Sequence, residues 1–418
     1  MPPAWRKGPF FMQKAGPATA GFHRLLLAAA VTRFGSGFFS ISITWLLYER
    51  THSLFVLGAL WGSYMALGGL FQVVVTPYRL ERPRPMVWLA VAAGILLLAP
   101  SLAASMAMFR VWELCPVFVA VGLVARPLNA GVLSLVPAFV EPNHRHRANA
   151  ILVAVTEAAA VVGPVVAGIV IGRGGSLLGL EIDAVGFLTT ALLLATLPRM
   201  PQPTIGLRVG HLAAMAKGVR RLWSHRRVRW LVSLAVVAEF TDSAYAVLSV
   251  PLVILVLHQT PAGLGLLEGA LSAGLVVGSG VVRHTPRNIL TYWRWWTVAC
   301  FCSLYAILTT VPSLSWMILI QVTAGVTLAI FQVESQTALQ TLAEGDSLGN
   351  LLMWQEGVSR GGAKSLGSMG VALLAIQAGL PGAFVVFGIL GTLLSLYPAL
   401  GLRRQDVTAQ DTGCPRGP

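Results

Sequence analysis

The sequence predicts an all-α integral membrane protein in which twelve transmembrane helices form two six-helix pseudo-repeated bundles. Three observations predict it. Of its 418 residues 56% are hydrophobic and only 11% are charged, against roughly a quarter charged in a soluble domain. The apolar residues gather into runs of about 20, the length an α-helix needs to cross the hydrocarbon core. The runs fall into two sets of six, separated by one long internal connection rich in arginine.

In chain order the spans read at 24–48, 54–77, 86–108, 113–137, 148–172 and 177–197, then at 229–257, 262–282, 289–311, 315–339, 350–376 and 381–402. The domain organisation expected from them is an N-terminal tail (1–23), a first bundle (24–197), a linker (198–228), a second bundle (229–402) and a C-terminal tail (403–418). Two readings of the linker's middle, VGHLAAMAKGVRRLWSH, stand side by side: an amphipathic helix on the membrane surface, or a solvated basic loop.

The second half lies on the first with a shift of about 200 residues. RFGSGFFSIS (33–42) then meets EFTDSAYAVL (239–248), and RANAIL (147–152) meets LGNLLM (348–353). Parallel six-helix repeats point to a carrier whose substrate sits between the halves.

Positive residues set the orientation, because Lys and Arg are retained on the cytoplasmic side. One side collects Arg6, Lys7, Lys14, Arg24, Arg79, Arg82, Arg84, Arg145, Arg147, the basic linker, Arg283, Arg287, Arg403, Arg404 and Arg416. The other has only Arg50, Arg110 and Arg173. Both termini are therefore expected in the cytoplasm. The formal net charge of +14 sits on short loops beside the spans, so it reads as topology and lipid contact and not as nucleic-acid binding. Cys115, Cys300, Cys302 and Cys414 show no framework or metal-ligand spacing, and no cofactor is expected. The first span is too long and too late for a cleaved signal peptide.

Local motifs give a family. LVPAFVEPNHRHRANAILVAVTEAAAVVGPVVAG around the fourth and fifth spans, EIDAVGFLTTALLL at 181–194 and VPLVILVLHQTPAGLGLLEGALSAGLVVGS at 250–279 resemble the major facilitator superfamily. Within it they are similar to the bacterial efflux-type branch that includes macrolide and siderophore exporters. The resemblance covers residues 20 to 402. Two departures accompany it. The superfamily's second loop usually reads G-x-x-x-D-R-x-x-R-R, whereas here VVVTPYRLERPRPM places Tyr78 where the Asp would stand and keeps Arg79, Arg82 and Arg84. The matching loop in the second half, AEGDSLGN, has no positive charge. The resemblance therefore assigns Arg79 and Arg82 to the cytoplasmic gate without its usual charge relay.

The efflux branch also carries an antiporter motif in its fifth helix, G-x8-G-x3-G-P-x2-G-G. At that spacing this chain has Ala150, Ala159, Gly163, Pro164, Ala167 and Gly168, small wherever smallness is required. Small residues let helices approach closely in lipid, and Pro164 permits a bend. The resemblance makes Gly163, Pro164 and Gly168 a pivot between the halves; the residues by themselves also suit an ordinary packing stripe.

The spans contain Arg33, Arg126, Arg294, Arg360 and Lys364 against Glu157, Glu239, Asp242, Glu268, Glu334 and Glu356. A charge at mid-bilayer must pair, face a cavity or be neutral, so this near balance predicts compensating pairs around a polar centre. The resemblance makes the first, fourth, seventh and tenth helices line the central cavity, where they carry Arg33, Arg126, Glu239 with Asp242, and Glu334. Glu157 and Arg126 are candidate partners, either as a static pair or as a proton- or substrate-handling one. Glu356, Arg360 and Lys364 recur every four residues and form one stripe, facing the seventh or tenth helix. Arg294, in TYWRWWTV, reads as a snorkelling anchor. Asp183 and Glu181 are expected to be solvated at the outer start of the sixth helix.

Together these features predict a monomeric secondary transporter of the bacterial inner membrane. It exports a small amphiphilic or lipophilic compound in exchange for protons, with lipid and substrate as its partners. No G-x4-G-K-[ST] phosphate loop is present, and no nucleophile, base and orienting group occur at recognisable spacing, so an enzyme is not expected. Trp45, Trp61, Tyr64 and Tyr245 suit an organic substrate. Import of a nutrient, movement of a lipid or metal, and a non-transporting sensor or membrane enzyme remain as alternatives.

Overall fold

The computed structural model describes residues 17–75, 83–106, 114–140, 145–197, 226–285, 296–342 and 357–411, and these are helical apart from short turns. The first six helices are α1 (Pro17–Thr51), α2 (Leu54–Val75), α3 (Pro83–Ser105), α4 (Leu114–Ser134), α5 (Arg145–Gly174) and α6 (Ser176–Ala195). The second set begins with α7 (Arg226–Pro251), which runs into a π-helical turn (Leu252–Val256), and continues with α8 (Pro261–His284), α9 (Thr297–Ile307) and α10 (Leu314–Leu342). A π turn (Gly357–Ala363) then leads into Lys364–Asp411, which Gly379 (φ 74°, ψ 170°) divides into α11 (364–378) and α12 (380–411). The two sets of six are thus present among the described residues.

Several boundaries differ from the sequence reading. α1 is already helical at Pro17, where the described residues begin, ahead of the expected start at 24. α12 continues to Asp411 past the expected end at 402, since RRQDVTAQD contains no glycine or proline to stop it. The linker lies outside the described residues up to Arg226.

Within the first bundle α1 packs on α5 and α6, and α3 on α6 and α4; in the second, α7 packs along α11 and α12, and α8 along α10. The bundles meet along two seams, α2 with α11 and α5 with α8.

The repeat is written in the backbone. Only four described residues have positive φ, and they form two pairs: His52 (48°) with His258 (50°), and Gly175 (83°) with Gly379 (74°). The first pair are 206 positions apart and the second 204. His52 and His258 end the first helix of each bundle, and the two glycines turn the fifth helix into the sixth in each. Side-chain packing follows the same offsets. A methyl group on Gly163 would meet Phe34 O at 2.6 Å, and one on Gly367 would meet Phe240 O at 2.9 Å. Contacts so similar argue that one six-helix solution was used twice.

Candidate functional site

Where α7 faces the start of α11, four charged side chains meet. Glu239 and Asp242 are three residues apart on α7 and so share a face. Opposite them the π turn Gly357–Ala363 carries Arg360, and Lys364 follows it; such turns, with their i→i+5 bonding, recur at functional sites. Arg360 Nε donates to Glu239 Oε1 at 3.0 Å, and Lys364 Nζ to Asp242 Oδ2 at 2.5 Å. Lys364 Nζ also stands 3.5 Å from Glu239 Oε2. Tyr305 of α9 donates its hydroxyl to Asp242 Oδ1 at 2.8 Å. Two cations thus balance two carboxylates. Lys364, Glu239 and Asp242 are largely buried, with side chains 14%, 18% and 18% exposed, while Arg360 is 44% exposed and reaches outward from the cluster.

A wider polar shell lies behind. Tyr245 of α7 packs edge-on against Tyr305, ring centroids 6.2 Å apart. Gln321 of α10 is fully buried and faces Tyr245, yet neither its amide nor the Tyr245 hydroxyl closes a hydrogen bond. Glu268 of α8 lies within electrostatic reach of Asp242, Lys364 and Arg33. Uncharged residues such as Tyr305 and Gln321 escape a sequence reading, because inside an apolar run they look like ordinary core positions.

The first bundle supplies fewer charges. Arg33 is exposed midway along α1. Glu157 on α5 and Glu334 near the end of α10 are half-buried and make no ion pair with described residues. Arg126 sits on α4, but its side chain lies outside the described part, so its pairing with Glu157 does too; Arg79, Arg82, Arg294 and Glu356 also fall outside. Tyr64 contacts Phe118, Phe39 and Trp61 with centroids 4.5, 6.5 and 5.8 Å away, an aromatic wall shared by α1, α2 and α4. Trp45 is a buried core residue.

The small residues of α5 divide their contacts. Gly163 packs on Phe34 of α1, inside its own bundle, whereas Gly168 meets Pro261 and Ala262 of α8. Pro164 does both: its ring faces Gly37 of α1 and its carbonyl faces Gly265 of α8.

One expectation is overturned. Asp183 is not solvated: it is 1% exposed, its Oδ2 has no hydrogen-bond partner, and its Oδ1 lies over Gly35 of α1. The signal was present in the sequence, since Gly179, Asp183, Phe187 and Thr190 recur at helical spacing along the buried stripe of α6. Thr190 closes the same seam through a 3.0 Å hydroxyl contact with Thr32. Adding a methyl at Gly35 forces that carboxylate aside, so Gly35→Ala is expected to cost about 1–3 kcal/mol by overpacking. Asp183→Ala clears the space, and the double variant should unfold at a higher temperature than Gly35→Ala alone. Thermal unfolding of the two proteins in detergent checks this; equal midpoints would refute the contact.

A cleft of about 380 Å³ between α9 and α10, lined by Trp296, Cys300 and Thr327 among others, holds no charged group. The charge cluster therefore remains the candidate.

Comparison with known proteins decides the family. The model of the Major Facilitator Superfamily matches residues 25–362. The chain belongs to the Major Facilitator Superfamily. Among similar proteins is the enterobactin exporter EntS of Salmonella choleraesuis (strain SC-B67), 26% identical over 415 residues, which span 94% of this chain and 96% of the exporter. An uncharacterized MFS-type transporter, y4rN of Sinorhizobium fredii (strain NBRC 101917 / NGR234), is 26% identical over 303 residues, 67% of this chain and 72% of that protein. The fold matches that of a bacterial homolog of the human lysosomal transporter Spinster in an inward-facing, unoccupied conformation, with a TM-score of 0.71 at 13% identity over 94% of this chain and 99% of that one. A POT family transporter in complex with 5-aminolevulinic acid gives the same TM-score at 11% identity, covering 92% and 96%. Membership makes this chain a multi-pass membrane transporter and not an enzyme.

Proposed function

We propose that this facilitator is a secondary active exporter of small amphiphilic or lipophilic compounds, each exchanged for protons by alternating access. It works in the bacterial inner membrane with both termini in the cytoplasm. The observation that carries the reading is the buried cluster of Glu239, Asp242, Arg360 and Lys364. Charges at this depth are retained for ion or substrate handling, because hydrocarbon penalises them. The cluster spans α7 and α11, helices that also touch α2 of the other bundle, so its pairing is placed to respond when the bundles rock. The similarity to enterobactin exporters supports export.

Inverted membrane vesicles test the proposal. With a panel of amphiphilic compounds and an imposed proton gradient, at least one is expected to be concentrated inside, and a protonophore should abolish that accumulation. Accumulation that persists unchanged with protonophore would rule out proton exchange.

A further inference from the structure

Outside the charge cluster, several charges within the spans have no partner among the described residues, and two of them, Arg33 and Glu268, come from opposite bundles and act on one another. The first is Arg33, exposed midway along α1, whose guanidinium makes no ion pair or hydrogen bond. The repeat explains why. At the 206-residue offset Arg33 corresponds to Glu239, which Arg360 neutralises. At the 204-residue offset of the fifth helices Arg360 corresponds to Thr156, whose hydroxyl is committed to Leu152 O at 2.9 Å. The first bundle therefore carries a charge of the opposite sign on its first helix and, at the matching position of its fifth, a hydroxyl where the second bundle has the counter-charge. An arginine at that depth cannot face hydrocarbon cheaply, so its exposure is toward the central space.

The second is Glu268. It is half-buried on α8 and makes neither a hydrogen bond nor an ion pair. Its flanking glycines are pressed on α5, Gly265 against the Pro164 carbonyl and Gly269 against Val165 and the Val161 carbonyl. Glu268 thus projects at the seam itself. The charges acting on it are Asp242 and Lys364 from its own bundle and Arg33 from the other. Of the other elements around it, α5 brings Glu157 one turn before Val161, α7 and α9 bring the phenols Tyr245 and Tyr305, and α10 brings the uncharged Gln321.

We infer that Glu268 is the carboxyl that binds the coupling proton, and that Arg33 is its counter-charge across the seam between the bundles. Glu239 and Asp242 are each held by a cation within 3.0 Å, so a proton arriving there must displace an ion pair. At Glu268 it displaces none. Once deprotonated, Glu268 attracts Arg33 and draws α1 toward α8; once protonated, it releases Arg33, and the bundles are free to part on that side. The inference rests on the proton-coupled reading above and assigns it a site.

The test uses the full chain in lipid nanodiscs, with the four native cysteines replaced by alanine and spin labels at Arg50→Cys and Gln259→Cys. Both positions are exposed, beside corresponding turns of the two bundles. The inter-label distance in this parent is expected to switch between two populations as pH rises. Glu268→Gln should hold the low-pH population at every pH, and Glu268→Asp should restore the switch. Arg33→Gln should likewise hold the low-pH population, because the deprotonated carboxylate then has no counter-charge to draw across the seam. A Glu268→Gln protein that switches as the parent does overturns the inference and leaves proton coupling standing. A parent whose distances ignore pH overturns proton coupling and this site together.

Discussion

Replacing Lys364 with methionine is expected to be the most damaging single change in the charge cluster. Lys364 is the shared cation, 2.5 Å from Asp242 and 3.5 Å from Glu239, with a side chain only 14% exposed. Methionine fills nearly the same volume but leaves two carboxylates to share Arg360. Stranding a buried charge in this way typically costs about 3–5 kcal/mol, a large part of the margin by which most proteins stay folded. Asp242→Asn should be milder, because Lys364 keeps Glu239 and the Tyr305 hydroxyl keeps an acceptor. The informative protein is the double variant Lys364→Met/Asp242→Asn. It retains the Arg360–Glu239 pair at 3.0 Å and a balanced charge, so it should recover a clear part of the loss, by about 1 kcal/mol or more of favourable coupling. Thermal unfolding of the purified proteins measures this directly. A double variant no more stable than Lys364→Met alone would mean that Lys364 stabilises the bundle by something other than charge.

That cluster was largely legible in the sequence, and the reasons separate it from what was not. Charged residues inside apolar runs announce themselves, and helical spacing alone puts Glu239 with Asp242 and Arg360 with Lys364. Which helix answers which is less visible, since the α11 stripe had two candidate faces and only the packed bundle sets it against α7. Asp183 escaped because it stands close to the start of α6, where a polar residue suits solvent; its place on the buried stripe depends on the α1 surface that covers it. The α11 π turn was also invisible, because GVSRGGA carries no pattern that distinguishes a π turn from an α turn. The twelve apolar runs, by contrast, follow from bilayer thickness alone. The repeat emerged weakly from residue identities and strongly from backbone geometry, since two duplicated bundles can exchange almost every side chain while keeping the turns at His52 and His258 and at Gly175 and Gly379.

The duplicated geometry also sets where bulk will stop the transport cycle. The seams between bundles are built twice from one pattern. On one side Gly265 lies against the Pro164 carbonyl and Gly269 against Val161; on the other Gly58 lies against the Ser368 carbonyl, at 2.7 Å from an added methyl, and Gly62 against Ser365. The Ser365 hydroxyl also donates to Gly62 O at 2.9 Å, a bond between bundles. Lipid gives helices no hydrophobic reason to associate, so these seams hold through close backbone approach, which only a minimal side chain allows. Each helix of a seam is anchored in its own bundle, α5 by Gly163 on Phe34 and α11 by Gly367 on Phe240. Bulk at Gly265 therefore splays the bundles at the crossing and leaves each bundle's interior alone. Gly265→Leu is expected to yield a protein that inserts and unfolds near the temperature of the parent but loses nearly all transport, with Gly58→Leu behaving alike on the other side. Gly163→Leu should instead lower the unfolding temperature, because its contact is internal to one bundle. Transport in vesicles and thermal unfolding of the three variants separate the cases: a Gly265→Leu protein that transports at the parental rate would show that this seam does not have to stay closed-packed during the cycle, and a stable, inactive Gly163→Leu would return the pivot to α5's contact with α1.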